Sequence, residues 1–267
     1  MDLHDYKDVA ENYDRYLEVM YEKQDSYDGF LDFYLELAKE NGQDGVIDIA
    51  CGTGAVLLHL AAHGILADGT DLSDAMCNVA RQKAESMGAN LNIFSSNMTN
   101  FKSDRRYSLA IIARSGFMHL LTSEEQRKAL LNIRDHLTDG GILTLNTFAP
   151  NPLLQASQMQ TTPDDYSFRL EYTNAEGQRE RIYNAITYDP KTQIMSGNWK
   201  FDTLDDAGNV AQSRIRPLAM RQTYKQEFIY LAELCGYEIL QIYGDYHKNT
   251  EDTGNYIWVL RKKDELK

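Results

Sequence analysis

The chain has 267 residues, 43% of them apolar, and a net charge of −13, with a pI near 4.9. That length fits one large domain or a core domain carrying an insertion, and no apolar run approaches the roughly 18 residues of a membrane span, so no membrane partner is expected. An acidic field this large opposes a nucleic-acid surface; it favours a small-molecule partner and mildly attracts cations.

The first residues, Met1-Asp2-Leu3-His4-Asp5, are polar and lack the apolar stretch of a secretory signal. Residues 1–22 interleave Tyr6, Tyr13, Tyr16 and Tyr21 with charges, which predicts an amphipathic helical arm. Its aliphatic anchors are few (Leu3, Val9, Leu17, Val19), so its docking is expected to be marginal without ligand. A helix is predicted over 28–40, stopped by Asn41-Gly42. Strand and helix then alternate, with strands at 46–50, 66–70, 91–94, 107–113 and 142–148. The helices between them fall at 55–63, at 73–87 with Ser73 as N-cap, and from the Thr122-Ser123-Glu124-Glu125 capping box to 137, closed by Gly140-Gly141. Such alternation argues for an open, parallel α/β sheet.

Residues 164–221 change period to short alternating segments broken by turns at 174–177, 189–192 and 205–209. They read as an antiparallel meander inserted into the α/β fold. A helix at 225–234 and strands at 237–243 and 255–261 then resume the first pattern. The expected divisions are an arm (1–22), a ligand-binding core (23–150), an insertion (151–222) and a closing segment (223–267). The insertion would lie over the carboxyl ends of the strands, where open sheets bind ligands, as an acceptor-site cover or as the contact of a homodimer. Cys51, Cys77 and Cys235 are odd in number, widely spaced and without a metal-type pair, so they read as buried thiols in a reducing, cytoplasmic compartment.

Asp48-Ile49-Ala50-Cys51-Gly52-Thr53-Gly54 joins the first strand to its helix. Gly52 and Gly54 permit a tight turn and close backbone approach to a ligand. Asp71 ends the second strand, where its carboxylate can accept from two ribose hydroxyls. A nicotinamide dinucleotide site has the same outline. Two details weigh against it: Leu57 stands where the third glycine would be, and the acidic Asp48 makes the site poor for phosphate and good for an ammonium or sulfonium group. A nicotinamide oxidoreductase, a non-catalytic cofactor-binding protein and a plain strand–turn–helix remain as alternatives.

The string from Asp48 to Gly54 resembles motif I of the class I S-adenosylmethionine-dependent methyltransferases, and the similarity extends over 9–148 and 217–262. The resemblance implies a Rossmann-like, mostly parallel sheet of seven strands, an antiparallel β insertion, an N-terminal helical lid, and S-adenosyl-L-methionine as cofactor. It implies that Asp48, Ala50, Gly52 and Gly54 surround the methionine part, that Asp71 binds the ribose, and that Leu72 packs on the adenine. Asn97-Met98 stand where the family often has Asp-Met, so the Asn97 carbonyl would accept from the adenine amino group, more weakly than a carboxylate. Ala50 replaces a common glycine.

The pattern is similar in particular to small-molecule N-methyltransferases of the amino-sugar type, through Val9-Ala10-x-x-Tyr13-Asp14, Tyr21, and Ser115-Gly116-Phe117-Met118-His119-Leu120. That likeness implies Tyr13 and Tyr21 as lid residues at the cofactor and His119 as an orienter or weak base facing the acceptor. The acceptor atom is expected to be an amine nitrogen first, a hydroxyl or carboxylate second. Arg114, just past an apolar strand, fits a carboxylate of cofactor or substrate, or a salt bridge to a neighbouring acid. Tyr183, Trp199, Arg216 and Tyr246 are candidates for an acceptor pocket.

Overall fold

The computed structural model describes residues 9–21, 28–251 and 253–264, Tyr21 by its backbone alone. The sheet is built outward from β1 (Val46–Ile49). Its side chains alternate between two apolar layers, Val46 into one and Ile47 and Ile49 into the other. β1 pairs in parallel with β2 (Ala67–Asp71) on one side and β4 (Tyr107–Ile112) on the other. With β3 (Ile93–Ser95), β5 (Leu137–Phe148), β10 (Tyr237–Tyr243) and β11 (Asn255–Lys262), the seven strands take the order β10-β11-β5-β4-β1-β2-β3. β11 runs antiparallel to both its neighbours; the other pairings are parallel.

Helices α2 (Phe30–Asn41), α3 (Ala55–Ala62) and α4 (Asp74–Ser86) cover one face of the sheet, and α5 (Ser123–His136) and α7 (Lys225–Leu234) the other. Because β1 and β4 are covered on both faces, they read as nearly continuous apolar runs. Two local details differ from the sequence reading. The helix opened by Thr122 ends at His136, and β5 follows at once, with Leu137 beside Tyr107. Gly140 and Gly141 therefore bend a strand instead of closing a helix, Gly140 at φ +69°. In addition, a short helix, α6 (Pro152–Gln158), opens the insertion ahead of its strands. Asn151 caps it by accepting from the Leu153 and Leu154 N–H groups, and Pro152 occupies its first position, a start signal present in the sequence.

The insertion is a separate antiparallel sheet of β6 (Ser167–Thr173), β7 (Arg179–Asp189), β8 (Ile194–Leu204) and β9 (Val210–Arg221), in chain order. β9 packs beside the turn at Gly116–His119. A 3-10 turn at Ala10–Asn12 leads into α1 (Tyr13–Tyr21), which lies on this inserted sheet. Val9, Tyr16 and Leu17 are buried there with Leu170, Tyr172, Ile182 and Phe201. Tyr16 meets Phe201 and Tyr172 edge-on, at centroid distances of 5.8 and 6.1 Å. An anchor counted from aliphatic residues alone misses this ring, whose burial contributes about 1.5–3 kcal/mol. Leu3, also named as an anchor, lies outside the described residues. Among the described residues no helix is long and apolar enough to cross a membrane.

Candidate active site

Strand order reverses between β1 and β4, so their carboxyl ends diverge and leave a crevice. A cleft of about 1110 Å³, including its open mouth, occupies that position. The loop after β1 contributes Asp48, Ala50 and Gly52; that after β2, Asp71 and Leu72; that after β3, Asn97 and Met98; that after β4, Arg114 and His119. Tyr13 reaches in from α1. These ten of the cofactor and catalytic candidates named from the sequence thus line one cleft; Gly54 does not, and the side chain of Tyr21 lies outside the described residues.

Gly52 takes φ +55°, and a Cβ built on it would meet nothing within 4 Å, so its backbone faces open space. Its N–H donates to Asp71 Oδ2 at 2.8 Å, and the Ser73 N–H donates to Asp71 Oδ1 at 2.8 Å. Each carboxylate oxygen keeps acceptor capacity after one such bond, so the two donors orient Asp71 and leave it able to accept from a ligand. Leu72 stands beside it, 43% exposed in a position where an apolar ring could cover it. Gly54 serves a different end. It is the left-handed N-cap of α3, and a Cβ there would come 3.1 Å from Ala80 Cβ, so it permits close approach of α3 and α4 without lining the cleft. Ala50 holds φ +57°, a conformation that costs an L-residue about 1–2 kcal/mol. Gly116 accommodates its methyl, since a Cβ at 116 would lie 2.9 Å from it.

Asp48 forms the floor. It is 1% exposed, and its Oδ1 has no hydrogen-bond partner among the described residues. Burial pushes its carboxyl well above the ordinary range and the nearby Asp71 charge adds to this, while the Arg114 charge acts against both. A buried acceptor without a donor is costly, and in a ligand cleft it marks where a cationic donor fits. Arg114 extends over the Phe30 ring at 5.1 Å, so its charge serves the field around Asp48 as well as the cleft wall. Arg114 and Ser115 are consecutive left-handed residues, φ +48° and +60°. Buried Asn146 of β5 clamps them, accepting from the Ser115 N–H at 2.9 Å and donating to Ser115 Oγ at 3.1 Å. The turn so fixed ends on His119, half-buried at the cleft wall.

Asn97 lines the cleft with its carbonyl engaged locally. Its Oδ1 accepts from both the N–H and the hydroxyl of Thr99, each at 2.9 Å, which uses both lone pairs of the carbonyl. Tyr13 lies edge-on to Tyr16 at 5.3 Å; the side chain of Tyr21 lies outside the described residues. Of the four acceptor-pocket candidates, none lines this cleft. Tyr246 is buried among Phe30, Phe33 and Tyr34. Tyr183 stacks with Phe168 and Lys200 on the face of the inserted sheet opposite α1. Trp199 and Arg216 are cross-strand neighbours, Trp199 packing against the cluster that holds α1.

The sequence reading passed over Phe30, Thr53, Ser96 and Glu125, which also line the cleft. Glu125 was legible only as the acidic end of a capping box, and it does perform that role, accepting from the Thr122 N–H at 3.0 Å. The same bond holds its carboxylate at the cleft wall.

A seven-stranded sheet of this order, with an acid-floored cleft at its reversal point, defines the Rossmann-like methyltransferase fold. Residues 46–141 match the family described as "Methyltransferase domain". That segment holds β1 to β4 and the loops after them that line the cleft. The chain is similar to a protein of Geobacillus sp. (strain WCH70) named as a methyltransferase, 27% identical over 148 residues, covering 53% of this chain and 60% of that one. It is also similar to the dTDP-3-amino-3,4,6-trideoxy-alpha-D-glucopyranose N,N-dimethyltransferase of Streptomyces venezuelae, 28% identical over 100 residues, covering 38% and 40% of the two chains. The matched segments therefore span about half the length of these relatives. Over nearly the whole chain, the fold is that of an S-adenosylmethionine-dependent methyltransferase from Clostridium acetobutylicum ATCC 824, with a TM-score of 0.77, 19% identity, and coverage of 97% and 99%.

Proposed function

We propose that the protein transfers a methyl group from S-adenosylmethionine to an amine nitrogen of a small-molecule acceptor. The observation that carries this reading is Asp48, a buried carboxylate with an oxygen lacking a donor, beneath a glycine backbone open to the cleft. That floor suits a ligand with a cationic end, and Asp71, with Leu72 beside it, suits a ribose followed by an adenine. When bound, the cofactor supplies an electrophilic methyl group on a sulfonium.

The chain's own contribution is chiefly positional. Asp48, Gly52 and Asp71 fix one reactant, while Tyr13 and the His119 turn bound the space for the other. Holding two reactants in line supplies up to ~7–11 kcal/mol of a displacement barrier. An amine acceptor must be neutral to attack, and His119 is placed to orient it or to take its proton. The helix α1 acts as a lid that excludes water from the reacting groups. The amine assignment draws on the motif around His119 and on the Streptomyces venezuelae relative, whose name specifies an amino-sugar N,N-dimethylation.

The test is a panel of small amines and matched alcohols, with release of S-adenosylhomocysteine as readout. Product with amines and little with the alcohols supports the reading. Product only with the alcohols replaces nitrogen by oxygen, and reduction of a nicotinamide cofactor in its place removes the methyltransferase assignment.

A further inference from the structure

We infer that Asp14 is a positioning residue which latches α1, and with it Tyr13, onto the loop between β1 and α3. The inference rests on reading that loop as the cofactor site. The apolar side of α1 is docked on the inserted sheet through Tyr16 and Leu17, and Asn12 Oδ1 accepts from the Ala175 N–H of the same insertion at 2.7 Å. These contacts fix the helix relative to the insertion, and the turn at Ala10–Asn12 also lies beside α4 of the core. Asp14 adds the polar tie between α1 and the glycine loop. Its Oδ1 accepts from Thr53 Oγ1 at 2.7 Å, and its Oδ2 pairs with the Lys83 ammonium. Lys83 also donates to the Thr53 carbonyl at 3.3 Å. One carboxylate thus joins three elements: α1, the glycine loop and α4.

The placement of each partner gives the contact its meaning. Thr53 is 1% exposed, lies between Gly52 and Gly54, and lines the cleft. Lys83 sits on the helix that follows Asp71 and Ser73. Tyr13, adjacent to Asp14 in the first turn of α1, lines the same cleft. An acid in a first turn is favoured by the helix dipole alone, but the dipole does not require it to reach across to another element. The ion pair is half-buried on both sides, and pairs of that kind add little to stability. Its consequence is geometric: whatever orders the glycine loop also sets Tyr13, and releasing Asp14 lets Tyr13 drift by a distance of order 1 Å, enough to cost as much as ~100-fold in rate.

The experiment compares Asp14→Ala, Asp14→Asn, Lys83→Met and the Asp14→Ala/Lys83→Met pair with the parent protein. Readouts are kcat, KM for S-adenosylmethionine, Tm, and amide exchange over residues 13–20. A latch predicts that Asp14→Ala lowers kcat by ~10- to 100-fold with a smaller rise in KM, and shifts Tm by no more than about 2 °C. Asp14→Asn, which still accepts from Thr53, should fall between Ala and the parent, and the double variant should be no worse than Asp14→Ala. Arm amides should exchange faster in Asp14→Ala, with or without S-adenosylhomocysteine. Parental kcat and exchange in Asp14→Ala overturn the latch and leave the methyltransferase reading intact, as does a loss of activity that merely follows a large fall in Tm. A parent that neither binds nor uses S-adenosylmethionine overturns the functional reading; unchanged arm exchange would then dispose of the latch separately.

Discussion

In the wall of the cleft borne by the parallel sheet, each functional group stands within a few residues of a strand end. Asp48, Asp71 and Arg114 are placed by β1, β2 and β4, and the groups that orient them are largely backbone N–H donors and buried neighbours. The wall formed by the arm is built otherwise. Tyr13 is at the cleft because Tyr16 is seated on Tyr172 and Phe201, and because Asn12 and Ala175, 163 residues apart, share a hydrogen bond. The first wall follows from local turn chemistry and strand order; the second depends on pairing of distant segments. The sheet-borne wall is therefore suited to hold a constant ligand, and the arm wall is suited to vary with the acceptor or to move.

The largest expected effect tests that division on the arm side. Removing residues 1–22 should abolish turnover, since Tyr13 and the cover over the cleft go together. It should also lower Tm, because Leu170, Tyr172, Ile182 and Phe201 lose the apolar surface that buries them. Turnover that survives the deletion would mean that the arm is no part of the site. On the sheet side, Asp71→Ala should weaken S-adenosylhomocysteine binding by ~1.5–3 kcal/mol, roughly 10- to 150-fold, the range for hydrogen bonds to a charged group. An unchanged Kd in calorimetry would place Asp71 outside the ligand site.

The contrast between the walls also marks what could be read from sequence. The motif from Asp48 to Gly54, the acid at 71 and the turn signals of the insertion are local patterns, and the strands, the cleft and the meander lie where those patterns put them. Glycine pairs and polar side chains were less legible. Gly140-Gly141 signals a bend equally well inside a strand as after a helix. The role of Asn97 depends on Thr99, two residues on, capturing its carbonyl. The failure of Tyr183 and Tyr246 to reach the cleft has the same root: a sequence names a tyrosine without saying which face of a sheet or which side of a helix layer receives it. Glu125 was hidden because one carboxylate serves a helix cap and a cleft wall together.

A smaller effect concerns Asp48. Burial, with the Asp71 charge beside it, holds its carboxyl well above the ordinary carboxylate range in the folded protein, so folding takes up a proton at pH values between the ordinary pKa and the raised one. The stability it contributes is full below the unfolded pKa and is lost as pH rises through the folded one. Ligand-free protein should lose Tm with rising pH across that window more steeply than Asp48→Asn, and S-adenosylmethionine should release protons on binding, visible in calorimetry in buffers of different ionisation enthalpy. Identical pH profiles for the two proteins would remove Asp48 from this role. The smallest effect is at the adenine end. In Asn97→Asp the carboxylate can serve Thr99 and still accept from an amino group, so cofactor affinity should change by only a few-fold, about 0.5–1.5 kcal/mol, the scale of one hydrogen bond. A loss of 100-fold or more would show that the Asn97 amide donates an essential bond.

The claim on which the rest depends is that the acid-floored cleft takes a sulfonium nucleoside and not a pyrophosphate. Parallel calorimetric titrations of the full chain with S-adenosylmethionine and with NAD test it directly. Saturable binding of S-adenosylmethionine in the micromolar range, with NAD at least 100-fold weaker, is the predicted result; micromolar binding of NAD and none of S-adenosylmethionine would contradict it.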